Sequence, residues 1–223
     1  MTLPPASFTN ASRLFAGRGA ARAPASGERA VRKMLIVPLL MGTLPPAAAQ
    51  QTAQDTLAHC ESCHAPGARG RTSATPRLNG QSYDYLVGRL GAMTSALDQS
   101  PHSLQVMWSN AHRLDDAARR RIARHYADLP ADKAVPGPQA ALGRQLYENG
   151  LPDEGVTPCR SCHGANGEGS DAGPRLAGQR KDYLAEQLWA FNLVARVHGP
   201  MNHTAMQLMP GQIDALASYL GGE

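Results

Sequence analysis

The pentapeptide C-x-x-C-H occurs twice, as Cys60-Glu61-Ser62-Cys63-His64 and as Cys159-Arg160-Ser161-Cys162-His163, and the two copies use all four cysteines of the chain. The spacing is dictated by chemistry. Two thiols add across the two vinyl groups of one haem, and the histidine that follows swings its imidazole under the iron. Two copies therefore imply two covalently attached c-type haems, anchored through Cys60 and Cys63 and through Cys159 and Cys162. A four-cysteine zinc site brings its pairs within roughly 15 to 20 residues of each other, whereas here the second pair starts 99 positions after the first. A thioredoxin-like C-x-x-C belongs to a strand-helix-strand unit that neither motif shows. Two disulfides remain open to a chain in an oxidising compartment, but they would not require two identical pentapeptides.

Export is expected from the N-terminus. Arg32 and Lys33 precede an apolar run from Met34 to Leu44, and Ala47-Ala48-Ala49 stand before Gln50, the three parts of a secretory signal with cleavage after Ala49. The run of about 11 residues contains Pro38 and falls short of the roughly 20 that a membrane-spanning helix needs, so no transmembrane helix is expected in the mature chain. Thiols must also meet haem outside the cytosol, which places the mature protein in a bacterial periplasm. Residues 1–49 are read as this leader. Its Ala-, Arg- and Pro-rich opening leaves the translation start open among Met1, Val31 and Met34. The formal charge of +4 is misleading, because the leader holds +5 of it and the remainder, with 16 basic and 17 acidic residues, carries −1. Charge gives no support to nucleic-acid binding.

An internal repeat organises the mature chain. Pro76-Arg77-Leu78-Asn79-Gly80-Gln81 and Asp84-Tyr85-Leu86 follow the first motif; Pro174-Arg175-Leu176-Ala177-Gly178-Gln179 and Asp182-Tyr183-Leu184 follow the second. An M-x-x-x-A-x-x-L pattern then appears as Met107, Ala111, Leu114 and again as Met201, Ala205, Leu208. The proline-rich stretch 130–138 suits neither helix nor central strand and is read as a linker between a domain at 50–129 and a second at 139–223. Leu86, Leu90 and Met93, and likewise Leu184, Leu188 and Phe191, make apolar helical stripes. Closing helices carry Ala118, Ile122, Tyr126 and Leu129 in the first unit and Ile213, Leu216, Ala217 and Leu220 in the second. Leu142, Leu146 and Tyr147 predict a short helix closed by Gly150. No strand pattern is evident, so the fold class is all-α. Units this small bury little apolar surface unaided; each is expected to wrap one haem as the missing core, which explains how aromatic residues at 5% of the chain suffice.

The sixth iron ligand decides function, because a doubly ligated iron passes electrons whereas an open one invites chemistry. Met107 and Met201 occupy equivalent repeat positions 43 and 38 residues after His64 and His163, and thioether sulfur suits reduced iron. His64, Met107, His163 and Met201 are thus the expected axial ligands. Histidine ligation through His102, His198 or His203 is the rival. Met93, Met206 and Met209 are read as core filler, and His59, His112 and His125 as surface or packing histidines. The carbonyls of Pro76 and Pro174 are placed to accept the second ring proton of the ligating histidines.

In this order, stated twice, the motifs resemble the dihaem cytochromes c of the c-four family, two class I cytochrome c domains in tandem, over about residues 53 to 223. The resemblance implies histidine-methionine ligation, proline carbonyls on the proximal histidines, and haems facing each other across a pseudo-twofold interface. It also implies a periplasmic electron carrier that delivers to a terminal haem-copper oxidase and draws on the cytochrome bc complex. Two departures stand out: Arg119 occupies the place of Ile213, and the stretch from Met93 to Leu104 is longer than its repeat partner.

The expected function is single-electron transfer in a respiratory chain without bond making. The alternatives are a cytochrome subunit of a periplasmic dehydrogenase and a dihaem peroxidase with one open iron. Peripheral association with a membrane is left open. Residues 50–133 carry +2 and residues 134–223 carry −3, a charge separation able to steer a partner to one end; Arg119, Arg120, Arg121 and Arg124 form the sharpest patch.

Overall fold

In the computed structural model, which describes residues 46–65, 68, 72, 75–94 and 106–222, helices form where the apolar spacing called for them. Helix α1 (Pro46–His64) runs directly into the first motif, so the expected cleavage point after Ala49 falls within its first turn. The expected leader upstream of residue 46, with Val31 and Met34, lies outside the described residues, as does His102. Helix α2 spans Tyr83–Ala92, and its N-terminus is capped by the Ser82 hydroxyl accepting from the Tyr85 amide. A short helix α3 (Trp108–Ala111) follows Met107, and α4 (Asp116–Asp128) closes the first half, its Asp115 cap accepting from the Ala118 amide at 2.7 Å.

The second half restates this plan with an added opening helix. Helix α5 (Ala140–Asn149) ends at Gly150, the predicted stop, whose positive φ of 69° suits a residue without a Cβ. Then come α6 (Arg160–His163), α7 (Lys181–Asn192), α8 (Gly199–Met206) and α9 (Pro210–Leu220). Pro210 opens α9, where a missing amide proton costs nothing. Among the described residues no helix is long and apolar enough to cross a membrane.

Each half has its own small core. Leu86, Ile122, Ala123 and Tyr126 are buried together in the first, with Leu57, Leu78, Leu90 and Leu129 against them. In the second, Leu146, Tyr147, Leu184, Leu208, Ile213, Leu216, Ala217 and Leu220 gather where α5 crosses α9. Both alanines of the repeated M-x-x-x-A-x-x-L pattern, Ala111 and Ala205, are fully buried.

Three expectations are corrected. A short parallel pair exists: β1 (Gln179–Arg180) lies against β2 (Gly221–Gly222), and two residues are too few to leave an alternation in the sequence. Leu142 is exposed on α5, whose buried face is instead Gly143, Leu146 and Tyr147. Met206 and Met209 are not core filler but stand 56% and 63% exposed. Arg119, standing where Ile213 is buried, bonds Asp116 at 3.1 Å through one guanidinium nitrogen while its Nε is buried without a hydrogen-bond partner among the described residues. The stretch 130–137 is irregular, as its prolines require, but it is tied down: the Val135 amide donates to the Gly221 carbonyl at 2.8 Å and the Gly137 amide to that of Ser218 at 2.9 Å.

Candidate haem sites

One helical turn presents Cys60, Cys63 and His64 on a common face, because positions i, i+3 and i+4 are neighbours on a helix. Cys159, Cys162 and His163 repeat the arrangement at α6, which Gly164 terminates with φ 85°. All four thiols are free of disulfides. Burial pushes the Cys60 thiol up, and that of Cys159 up to about 11.

Both imidazoles are buried and both are oriented in the same way. His64 Nδ1 donates to the Pro76 carbonyl at 2.9 Å, and His163 Nδ1 donates to the Pro174 carbonyl at 2.9 Å. Since a carbonyl can only accept, each Nδ1 carries its proton, and in a neutral ring the lone pair is then on Nε2, the nitrogen able to ligate a metal. Desolvation pushes the His163 pKa down and outweighs the Pro174 bond, which acts in the opposite sense. Gly173 makes room for that ring: a Cβ there would lie 2.9 Å from His163 Nδ1.

His64, His163, Met107 and Met201 all line one cavity of about 1030 Å³ that runs between the two halves. That volume stands at the upper end of the ~300–1,000 Å³ usual for a single small-molecule site. Leu86, Ile122, Leu184, Phe191 and Leu216 supply apolar wall, and Tyr126, also in the wall, has a buried hydroxyl with no hydrogen-bond partner among the described residues. Soft thioethers, neutral imidazoles, apolar walls and paired thiols are together the donor set a covalent haem requires.

The remaining histidines sort by place. His198 lines the same cavity, whereas His203 is exposed outside its lining. His59 bonds Asn110 at 2.9 Å, His125 bonds Glu61 at 3.0 Å, and His112 stacks on Trp108, all packing or surface roles as expected. Sequence reasoning missed Arg196, a buried cation in the cavity wall that donates to Gln187 Oε1 at 2.7 Å and to the Tyr85 hydroxyl at 3.1 Å across the halves. A single arginine outside any repeat gave no signal. It also missed the part played by Gln81 and Gln179, although both stood in the repeat, where a glutamine recurring at the same place in each half was the available clue.

Comparison with known proteins places this arrangement. A profile described as Cytochrome c matches residues 140–222. Cytochrome c-552 of Acidithiobacillus ferridurans is 32% identical over 167 residues, covering 72% of each chain. The solved structure of Acidithiobacillus ferrooxidans cytochrome c4 superposes with a TM-score of 0.67 at 30% identity, covering 73% of this chain and 97% of that one. A thiosulfate dehydrogenase structure from Marichromatium purpuratum matches at 33% identity and a TM-score of 0.62, over 72% of this chain and 35% of that one. Fold and site thus define an all-α electron-transfer protein, two class I cytochrome c domains in tandem, each wrapped around a covalently attached c-type haem. The chain belongs to the cytochrome c4 family.

Proposed function

We propose that this cytochrome is a periplasmic carrier that takes single electrons from a cytochrome bc complex and delivers them to a haem-copper oxidase. In this reading a signal peptide ending at Ala49 exports it, and domains at 50–129 and 139–223 are joined through 130–138. Cys60 and Cys63 anchor one haem and Cys159 and Cys162 the other; His64 with Met107 and His163 with Met201 hold the irons. The observation that carries the proposal is the matched geometry of the two halves: each histidine is fixed at 2.9 Å by a proline carbonyl, and each faces a cavity whose wall includes the repeat-related methionine.

When bound, the haems supply reversible one-electron chemistry. The polypeptide's part is to orient each imidazole through Pro76 or Pro174, to line the cavity with apolar side chains that exclude water, and to hold the ligands alike in both oxidation states. The test is kinetic. Anaerobically reduced protein mixed with purified haem-copper oxidase and oxygen should be reoxidised within the oxidase's turnover time; protein that stays reduced would contradict the proposal.

The kinship with a thiosulfate dehydrogenase favours a second reading, in which a periplasmic dehydrogenase is the electron donor. Co-purification of a catalytic subunit, with substrate-dependent reduction of the cytochrome, would select it.

Exposed Arg120, Arg121 and Arg124 on α4 form a basic docking face for an acidic partner; Arg124 lies 4.2 Å over the Tyr83 ring. Electrostatic steering changes association rates by tenfold or more at low salt. Arg120→Glu is therefore expected to slow the bimolecular step with the oxidase about tenfold at low ionic strength, with the difference vanishing at high salt. Stopped-flow rates across a salt series check this.

A further inference from the structure

The two halves are joined by a reciprocal pair of glutamines. Gln179 Oε1 accepts from the Arg77 amide at 2.7 Å while its Nε2 donates to the Arg77 carbonyl at 2.9 Å. Gln81 Oε1 accepts from the Arg175 amide at 2.9 Å while its Nε2 donates to the Arg175 carbonyl at 2.9 Å. Both side chains are buried, 7% and 8% exposed. Their orientation is unambiguous, because a backbone amide can only donate and a carbonyl can only accept. Each Oε1 also takes the next residue's own amide, Ser82 or Arg180, at 2.9 Å.

The amide that Gln179 holds belongs to the same peptide group as the carbonyl that holds His64. Pro76 C=O and Arg77 N–H are the two ends of one planar, conjugated unit. The chain of bonds therefore runs from His64 Nδ1–H to the Pro76 carbonyl, through that peptide to the Arg77 N–H, and on to Gln179 in the other half. The mirror chain runs from His163 through the Pro174–Arg175 peptide to Gln81.

We infer that the glutamines tune the irons crosswise: Gln179 sets the basicity of His64, and Gln81 that of His163, each through a single peptide. Hydrogen bonds in series polarise one another. An acceptor on the amide end makes the carbonyl end a stronger acceptor, which draws the Nδ1 proton and makes the imidazole a better electron donor to its metal. A more basic ligand favours the oxidised iron, so the glutamine of one domain lowers the potential of the haem in the other. Docking of the halves and the reduction potentials are thereby linked. This rests on the proposed histidine ligation, and not on the methionines.

The test uses the holoprotein carrying Gln179→Leu or Gln81→Leu, with the reduction of each haem followed by NMR-monitored redox titration. Gln179→Leu is expected to make the haem on His64 easier to reduce by about threefold, close to 30 mV on the scale of 59 mV per tenfold for one electron, and to leave the haem on His163 unchanged. Gln81→Leu is expected to do the reverse. In the ferrous protein the Nδ1 proton resonance of the histidine in the opposite domain should move upfield, a readout independent of potential. Gln179→Glu keeps an oxygen on the Arg77 amide and should not raise the potential of the His64 haem; it also serves if the leucine variant fails to fold. A shift confined to the variant's own domain, equal shifts of both haems, or unmoved potentials and proton resonances would each overturn the inference. Loss of histidine ligation would appear separately, as missing ligand-histidine resonances in the unaltered protein.

Discussion

Gly143→Ala is expected to destabilise the second domain by about 2 kcal/mol, even though alanine is the better helix former. The residue sits in α5 at its approach to α9, and an added Cβ would lie 1.9 Å from the Ala215 carbonyl oxygen and 2.8 Å from the Tyr219 Cβ. The obstruction is backbone, which no rotamer change can relieve, so the two helices must separate and open the core around Tyr147 and Leu216. Helix propensity returns about 1 kcal/mol for Gly→Ala, while overpacking costs ~1–3 kcal/mol and sometimes more; against main chain the clash prevails. A loss of about 2 kcal/mol corresponds to a melting temperature lower by roughly 8–16 °C for a 60–100-residue domain. Gly211→Ala is the matched control, because its Cβ, in the first turn of α9, would meet nothing within 4 Å among the described residues; it should be neutral or stabilising by up to ~1 kcal/mol. Thermal melts of the ferric holoprotein separate the two, and a Gly143→Ala protein as stable as the parent would refute the close helix contact.

Met201→Ala is expected to remove half of the methionine-to-iron charge-transfer absorption of the ferric protein, and Met107→Ala the other half. The potential of the altered haem should fall by on the order of 100 mV, since axial ligands set haem potentials over about 0.8 V and a soft thioether favours the reduced metal. The opened face should also bind carbon monoxide when reduced, which a doubly ligated iron does not readily do. Met206→Ala and Met209→Ala, at exposed positions of the same region, should change neither spectrum nor potential. His198 provides the discriminating comparison, because it lines the cavity with Met201. If it were the second domain's ligand, the unaltered protein would show only half the absorption and Met201→Ala would leave that half intact.

What could be read from the sequence is what covalent or periodic constraint had written there. Vinyl addition fixes the cysteine spacing and the neighbouring histidine, so the haem motifs were legible without a structure. Helical stripes such as Leu184, Leu188 and Phe191 announce a buried face, and duplication singled out Pro76 and Pro174, whose carbonyls do accept from the histidines. What escaped has no period. The glutamine bonds join residues 94 and 102 positions apart, the β1–β2 pair joins Gln179 to Gly221 over two residues, and Gly143 is needed only because another helix passes close by. Leu142, Met206 and Met209 show the opposite failure: apolar residues that stand exposed to solvent. Burial depends on what stands across the gap, and a one-dimensional pattern does not hold that information.

The most direct test of the central claim is a haem count combined with a redox-titrated visible spectrum of the mature protein. Two haems per polypeptide, a ferric charge-transfer band accounting for methionine on both irons, and two one-electron steps are expected. A single haem per chain, or ferric protein without that band, would contradict it.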